Sequence, residues 1–439
     1  MRAPYSAGSG RRWHDFLRGA DAARAAGPRC LSSALRPRLG HPSDDGTSPR
    51  LRRLAPILLL VFGCAGGLAL VEVALRLHQW GREDVRNHFV EDRSLLHHRL
   101  RANFDGVVRG VHFTTNSRGL RDREFAVPKP AGIFRIAILG DSFTEGSGLE
   151  DAEAMPKRLE QRVQRSCRPG IEVVNAGVSS YSPILYYLHL KHVVAPLQPD
   201  LVVVNVDMGD VHEDMIRTEI ASLDAHGLPI AVPANRRLEL AQTLPPILPP
   251  ALRRLEAPMA RLAVHQRLRQ SSFGIWLFGH RRLELAGLER SGLVGDLRYD
   301  PLAVTRDVET EQIRRAWALT SRYIRGIQDV TRSLGARFVL VTYPYAHQVS
   351  ATASPAGRQA AGIPAQLFTS ERPFKILEAL GAQYGFPVIN LLPLFRQRET
   401  QHGPLFRYDD IHHTAKGADV FAEGVFIGLR EHGLITCAG

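Results

Sequence analysis

The sequence predicts a three-layer α/β/α sandwich around a central parallel sheet of about five strands. Short apolar runs rich in β-branched residues recur along the chain: FRIAILG at 134–140, IEVVNAG at 171–177, DLVVVNVD at 200–207 and ARFVLVTYP at 336–344, with a weaker FPVINLL at 386–392. Segments of helical periodicity separate them, at 153–166, 183–195, 308–334, 371–384 and 415–432. The runs are apolar on both faces instead of alternating, as expected of strands covered by helices on each side.

The chain has 439 residues and a formal net charge of +12. The first 53 residues carry 11 Arg and 4 Asp, so +7 of that excess sits in the N-terminal tail and the other 386 residues hold +5. With no zinc-finger spacing and 7% aromatics, nothing points to nucleic acid as a partner. Residues 1–50, rich in Arg, Ala, Gly, Pro and Ser and without hydrophobic periodicity, are expected to be a disordered basic tail.

Residues 54–71, LAPILLLVFGCAGGLALV, form an uncharged run of 18, the length of a bilayer core. A transmembrane signal anchor over 51–78 is expected. Arg50, Arg52 and Arg53 precede the run, which puts its N-terminal side in the cytoplasm and everything after residue 78 outside it. A buried helix or a cleaved signal peptide are the competing readings. Residues 79–132 read as an arm, with turn chemistry at Asn116, Ser117, Gly119 and Asp122 and a Pro-Lys-Pro linker at 128–130.

The sandwich then occupies 133–439, interrupted between the third and fourth runs. About 215–305 is too long for a simple crossover and contains LPPILPP, basic amphipathic segments and FGIWLF. A helical insertion is expected there, either over the active-site edge or on the flank of the sheet. The cysteines are Cys30, Cys64, Cys167 and Cys437, with no CxxC pair. Cys167 and Cys437 pair only if the domain lies in an oxidising compartment, and two free thiols are expected.

Ligands of such sheets bind beyond the carboxyl ends of the strands. Ser142, in ILGDSFTEG, lies just past the first strand, as Gly177 and Asp210 lie past the second and third. A serine there serves as a helix N-cap, a nucleophile, or both. A nucleophile needs a base, an orienting carboxylate and donors for an oxyanion. YDDIHHTAKG at 408–417 supplies Asp409, Asp410, His412 and His413 before an amphipathic helix. Asp409 three residues before His412 is the first choice of orienter, with Asp410 the alternative. No third ligand set accompanies the HisHis pair at metal spacing.

The order GDS, NAG, an Asp-containing loop and DxxH resembles the SGNH (GDSL-like) hydrolase family over roughly 133–430, and the anchor with NSRGLRD and RIAILGDSFTEG resembles its bacterial membrane-anchored branch. The resemblance implies the flavodoxin-like fold of that family, Ser142 as nucleophile and its own N–H as an oxyanion donor. It also implies Gly177 as second donor, His412 as base with Asp409 orienting it, and a packing role at 413. In one place the chain departs from the pattern. Where the family has an asparagine as third oxyanion donor, VDMGDVHED places Gly209. A donor lost from an oxyanion hole costs about 10²–10³ in rate.

The function these residues imply is a membrane-tethered, extracytoplasmic serine esterase. Its partners would be an acylated envelope glycan or lipid as substrate and the bacterial inner membrane through the N-terminal helix. No cofactor is implied. The competing functions are an O-acyltransferase using the same triad and a non-catalytic glycan-binding or assembly protein.

Overall fold

The computed structural model describes residues 49–79, 88–167, 170–234, 288–289, 292–360 and 363–437. The expected tail over 1–48 and the bulk of the expected insertion, 235–287, lie outside the described residues. Two units divide the chain at Gly63. The first is described only from residue 49, over the opening turns of the helix Pro49–Gln79. Side chains along this helix are described continuously over 62–74, with Phe62, Leu68, Leu70, Val71 and Val73 exposed. This corrects the expected transmembrane helix over 51–78: among the described residues no helix is long and apolar enough to cross a membrane.

In the second unit, two antiparallel hairpins open the arm: β1 (Phe89–Asp92) with β2 (His97–Leu100), and β3 (Asp105–Val108) with β4 (Val111–Thr114). The core sheet follows with β5 (Phe134–Gly140), β6 (Ile171–Gly177) and β7 (Leu201–Val206). A short hairpin, β8 (Ser222–Leu223) and β9 (Pro229–Ala231), precedes β10 (Arg337–Thr342) and β11 (Val388–Asn390). The core order is β11-β10-β7-β5-β6, with every neighbouring pair parallel. All six residues of β7 and all but the first of β5 are buried, which is what continuous Val/Ile/Leu runs require when helices cover both faces. The chain runs from β5 to β6 on one side and then to β7 on the other. Strand order therefore reverses at β5, and a crevice opens beyond its carboxyl end. Ser142 is the first residue after that end to enter a helix, Ser142–Glu145.

The five predicted strands form the parallel sheet, with β11 shorter than its apolar run suggested. The predicted helices stand at Met155–Ser166, Glu311–Ser333, Arg372–Tyr384 and Ala415–Glu431. The helix at Pro183–His189 ends early, in a single wide turn at Leu190–Val194. The described flanks of the expected helical insertion carry the β8–β9 hairpin and turns once the helix Gly209–Thr218 has ended. Val232 extends that hairpin to Leu96 of the arm. Cys167 and Cys437 are disulfide-bonded, which corrects the expectation of two free thiols. The bond ties the end of the helix Met155–Ser166 to the segment beyond the last helix, across 270 residues of sequence.

Candidate active site

Asp141 and Ser142 occupy the turn from β5 into the helix Ser142–Glu145. The Phe143 N–H donates to Asp141 Oδ1 at 2.9 Å, so Asp141 caps the helix and leaves the Ser142 hydroxyl free for other work. That hydroxyl meets His412 Nε2 at 2.7 Å. The other ring nitrogen, Nδ1, lies 2.8 Å from Asp410 Oδ1. Serine, imidazole and carboxylate therefore stand in a chain, with the base within reach of the proton it must take.

Asp409, the first-choice orienter, does not reach His412. Its side chain is 70% exposed and points toward Arg407, 3.7 Å away. The loop is fixed by the Arg407 N–H bonding the His412 carbonyl at 2.9 Å and by Ser354 Oγ bonding the Asp410 carbonyl at 2.7 Å. This path turns residue 410, not 409, toward the imidazole. The Asp410 carboxyl is held down to about 2 by its hydrogen bond to His412, by the charge of that ring and by Arg109, against the opposing effect of burial. Arg109 NH1 sits 3.0 Å from the second carboxylate oxygen, Oδ2. Nothing in the sequence marked this arginine among the many of the chain.

His413 is buried among Phe143, Phe395, Phe406 and Phe421, with ring centroids 4.8 to 5.6 Å away. Neither of its ring nitrogens has a hydrogen-bond partner, and burial lowers its pKa to about 3. It is a neutral wedge under the catalytic loop.

The N–H groups of Gly177, the expected second donor, and of Gly209, at the position of the missing asparagine, are both committed elsewhere. The Gly177 N–H bonds Asn175 Oδ1 at 3.1 Å, and a Cβ on Gly177 would lie 2.3 Å from the Glu145 nitrogen. Glycine at 177 therefore lets β6 pack against the helix of Ser142. The Gly209 N–H bonds Asp207 Oδ1 at 2.7 Å and Tyr345 Oη at 3.2 Å. A Cβ there would meet Tyr345 Oη at 2.5 Å, so the space an asparagine side chain would take is filled by a phenol from the segment after β10. Asn205 is also occupied, donating to Thr144 Oγ1 at 2.8 Å. The Ser142 N–H, in the first turn of its helix, carries no intrahelical bond and remains a donor for an oxyanion.

Beyond β6 the loop is held by Glu145, whose carboxylate accepts from Ser179 N and Ser179 Oγ at 2.7 and 2.8 Å. Next to it, Ser180 is exposed with a left-handed backbone, φ 60°. Beside Ser142, burial and the adjoining Asp207 carboxylate push the Asp141 carboxyl well above the usual range. Tyr343 Oη adds a hydrogen bond to Asp141 Oδ1 at 2.9 Å. Among the described residues no group of three or more His, Cys, Asp or Glu side chains is arranged to hold a metal ion.

In fold and triad the chain resembles the SGNH hydrolases. No protein-family model matches it, and neither does any curated protein. Solved structures similar to it include a putative lipolytic protein of the G-D-S-L family from Desulfitobacterium hafniense, 13% identical, covering 67% of this chain and 99% of that one, with a TM-score of 0.33. TesA is 14% identical, covering 68% and 98%, with a TM-score of 0.34. A variant of Axe2, an acetyl-xylooligosaccharide esterase from Geobacillus, is 13% identical, covering 70% and 97%, with a TM-score of 0.36. These are distant likenesses, and the chemistry of the site rests on this chain's own residues.

Proposed function

We propose that this chain is a serine esterase that cleaves acyl esters through an acyl-Ser142 intermediate. The observation that carries the reading is the continuous contact from Ser142 Oγ through His412 to Asp410. His412 Nε2 takes the Ser142 proton as Oγ attacks the ester carbonyl, and Asp410 steadies the imidazolium that forms. The Ser142 N–H faces the oxyanion. His412 then returns the proton to the departing alcohol, and a water it deprotonates releases the acid from Ser142.

The substrate side of the proposal is an acyl group, O-acetyl included, on a glycan or lipid of the cell envelope. Support comes from the Cys167–Cys437 disulfide, which suits the oxidising side outside the cytoplasm. Purified full-length chain given an aryl acetate, with and without an oligosaccharide acceptor, tests the reaction class. Free acetate at equal yield in both is expected. Acetylated oligosaccharide at the expense of free acetate would make the chain a transferase.

A further inference from the structure

The β3–β4 hairpin turns on two residues, Arg109 and Gly110, both left-handed with φ of 51° and 84°. Two-residue turns of this kind are normally given to Asn, Asp or Gly, because a Cβ disfavours the conformation. An arginine at the first position is conformationally unsuited and has to be there for its side chain. That side chain reaches Asp410, 301 residues further along the chain.

The base of the hairpin is fastened to the other half of the triad. Arg121, 2% exposed, donates to the carbonyls of Glu145, Gly146 and Leu149 in the segment that follows Ser142. Its Nε also bonds Asp151 Oδ1 at 2.8 Å, and Thr114 Oγ1 of β4 bonds Asp151 Oδ2 at 2.6 Å. The arm therefore spans the site, with Arg121 on the nucleophile segment and Arg109 on the carboxylate.

We propose that Arg109 is a positioning residue: it holds Asp410 Oδ2 so that Oδ1 faces His412 Nδ1 and the imidazole presents Nε2 to Ser142. A carboxylate bonded at both oxygens is less free to rotate away from the ring. The inference rests on the esterase reading of the same three residues. The charged and titratable groups around the Asp410–His412 pair are Arg109 from the hairpin, Glu145 from the helix of Ser142, and Arg407, Asp409 and His413 from their own loop. Of these, Arg109 is the cation in contact with the carboxylate.

The test compares wild type, R109Q and R109K as full-length chains, reading aryl acetate hydrolysis across pH and the low-field Nδ1 proton of His412 by NMR. In R109Q, kcat is expected to fall about tenfold, the scale of a modest misplacement of reacting groups. KM is expected to stay in place. R109K should recover most of the rate. The His412 proton should be displaced or lost in R109Q and return in R109K. A rise in KM alone, or an R109Q chain with an unchanged kcat and His412 proton, would overturn the proposal. Should wild type release no acetate while R109Q still displaces that proton, the esterase reading fails and the Arg109 contact stands.

Discussion

At Asp410 the two carboxylate oxygens divide their work, Oδ1 to His412 and Oδ2 to Arg109. Asp409, one residue earlier, faces solvent. Replacing Asp410 with asparagine keeps the shape but offers the imidazole an amide, a change that lowers kcat by about 10⁴ in a Ser-His-Asp triad. D410N is therefore expected to lose activity on that scale, while D409N stays within about twofold, as a solvated surface residue should. Initial rates on an aryl ester decide it, and a D409N loss matching D410N would contradict the assignment. Ser142 and His412 were legible from the sequence because a serine past a strand end and a histidine before a helix need few neighbours to define their place. The choice between Asp409 and Asp410 was not, since it depends on how the loop turns, which Ser354 and Arg407 fix from outside the motif. Gly177 and Gly209 show the same limit. Their positions along the chain were right for the strand ends, but whether an amide faces substrate depends on side chains such as Asn175 and Tyr345 that spacing does not reveal.

Among elements, the core strands were the most legible, because burial on both faces leaves an unbroken apolar run. The arm hairpins were not, since each strand is four residues long and HHRL or DGVV carries no period to read. Yet the arm touches Asp410 through Arg109 and the segment that follows Ser142 through Arg121. His413 stands just before Thr414, the cap of the helix Ala415–Glu431, and its ring fills a space between four phenylalanines. In the folded chain His413 stays neutral down to about 3, whereas an exposed histidine takes up its proton near 6.5. Its contribution to stability is complete above pH 6.5 and is lost as pH falls below that, because the unfolded chain binds the proton first. Denaturant melts of wild type and H413F should therefore diverge on acidification. Wild type is expected to lose about 1.4 kcal/mol per pH unit relative to the variant between pH 6 and 4. A constant difference across that range would show that His413 is already charged in the fold.

For the whole molecule, the Cys167–Cys437 bond closes a loop of 270 residues that holds β6, β7, β10 and β11 of the core sheet. It was not legible because the distance between two cysteines so far apart in sequence is set by the fold. Restricting so long a loop limits the unfolded chain, and its removal is expected to cost about 2–4 kcal/mol. Urea unfolding of wild type against C167S/C437S measures this, and coincident midpoints would mean that the bond adds nothing. The central claim is that Ser142 is a nucleophile activated by His412. Labelling of the full-length chain with a fluorophosphonate, followed by mapping of the modified residue, tests it most directly. The account predicts stoichiometric modification at Ser142 in wild type, none in S142A, and strongly slowed modification in H412A. Folded wild-type protein that takes no label, or that labels equally in S142A, would contradict it.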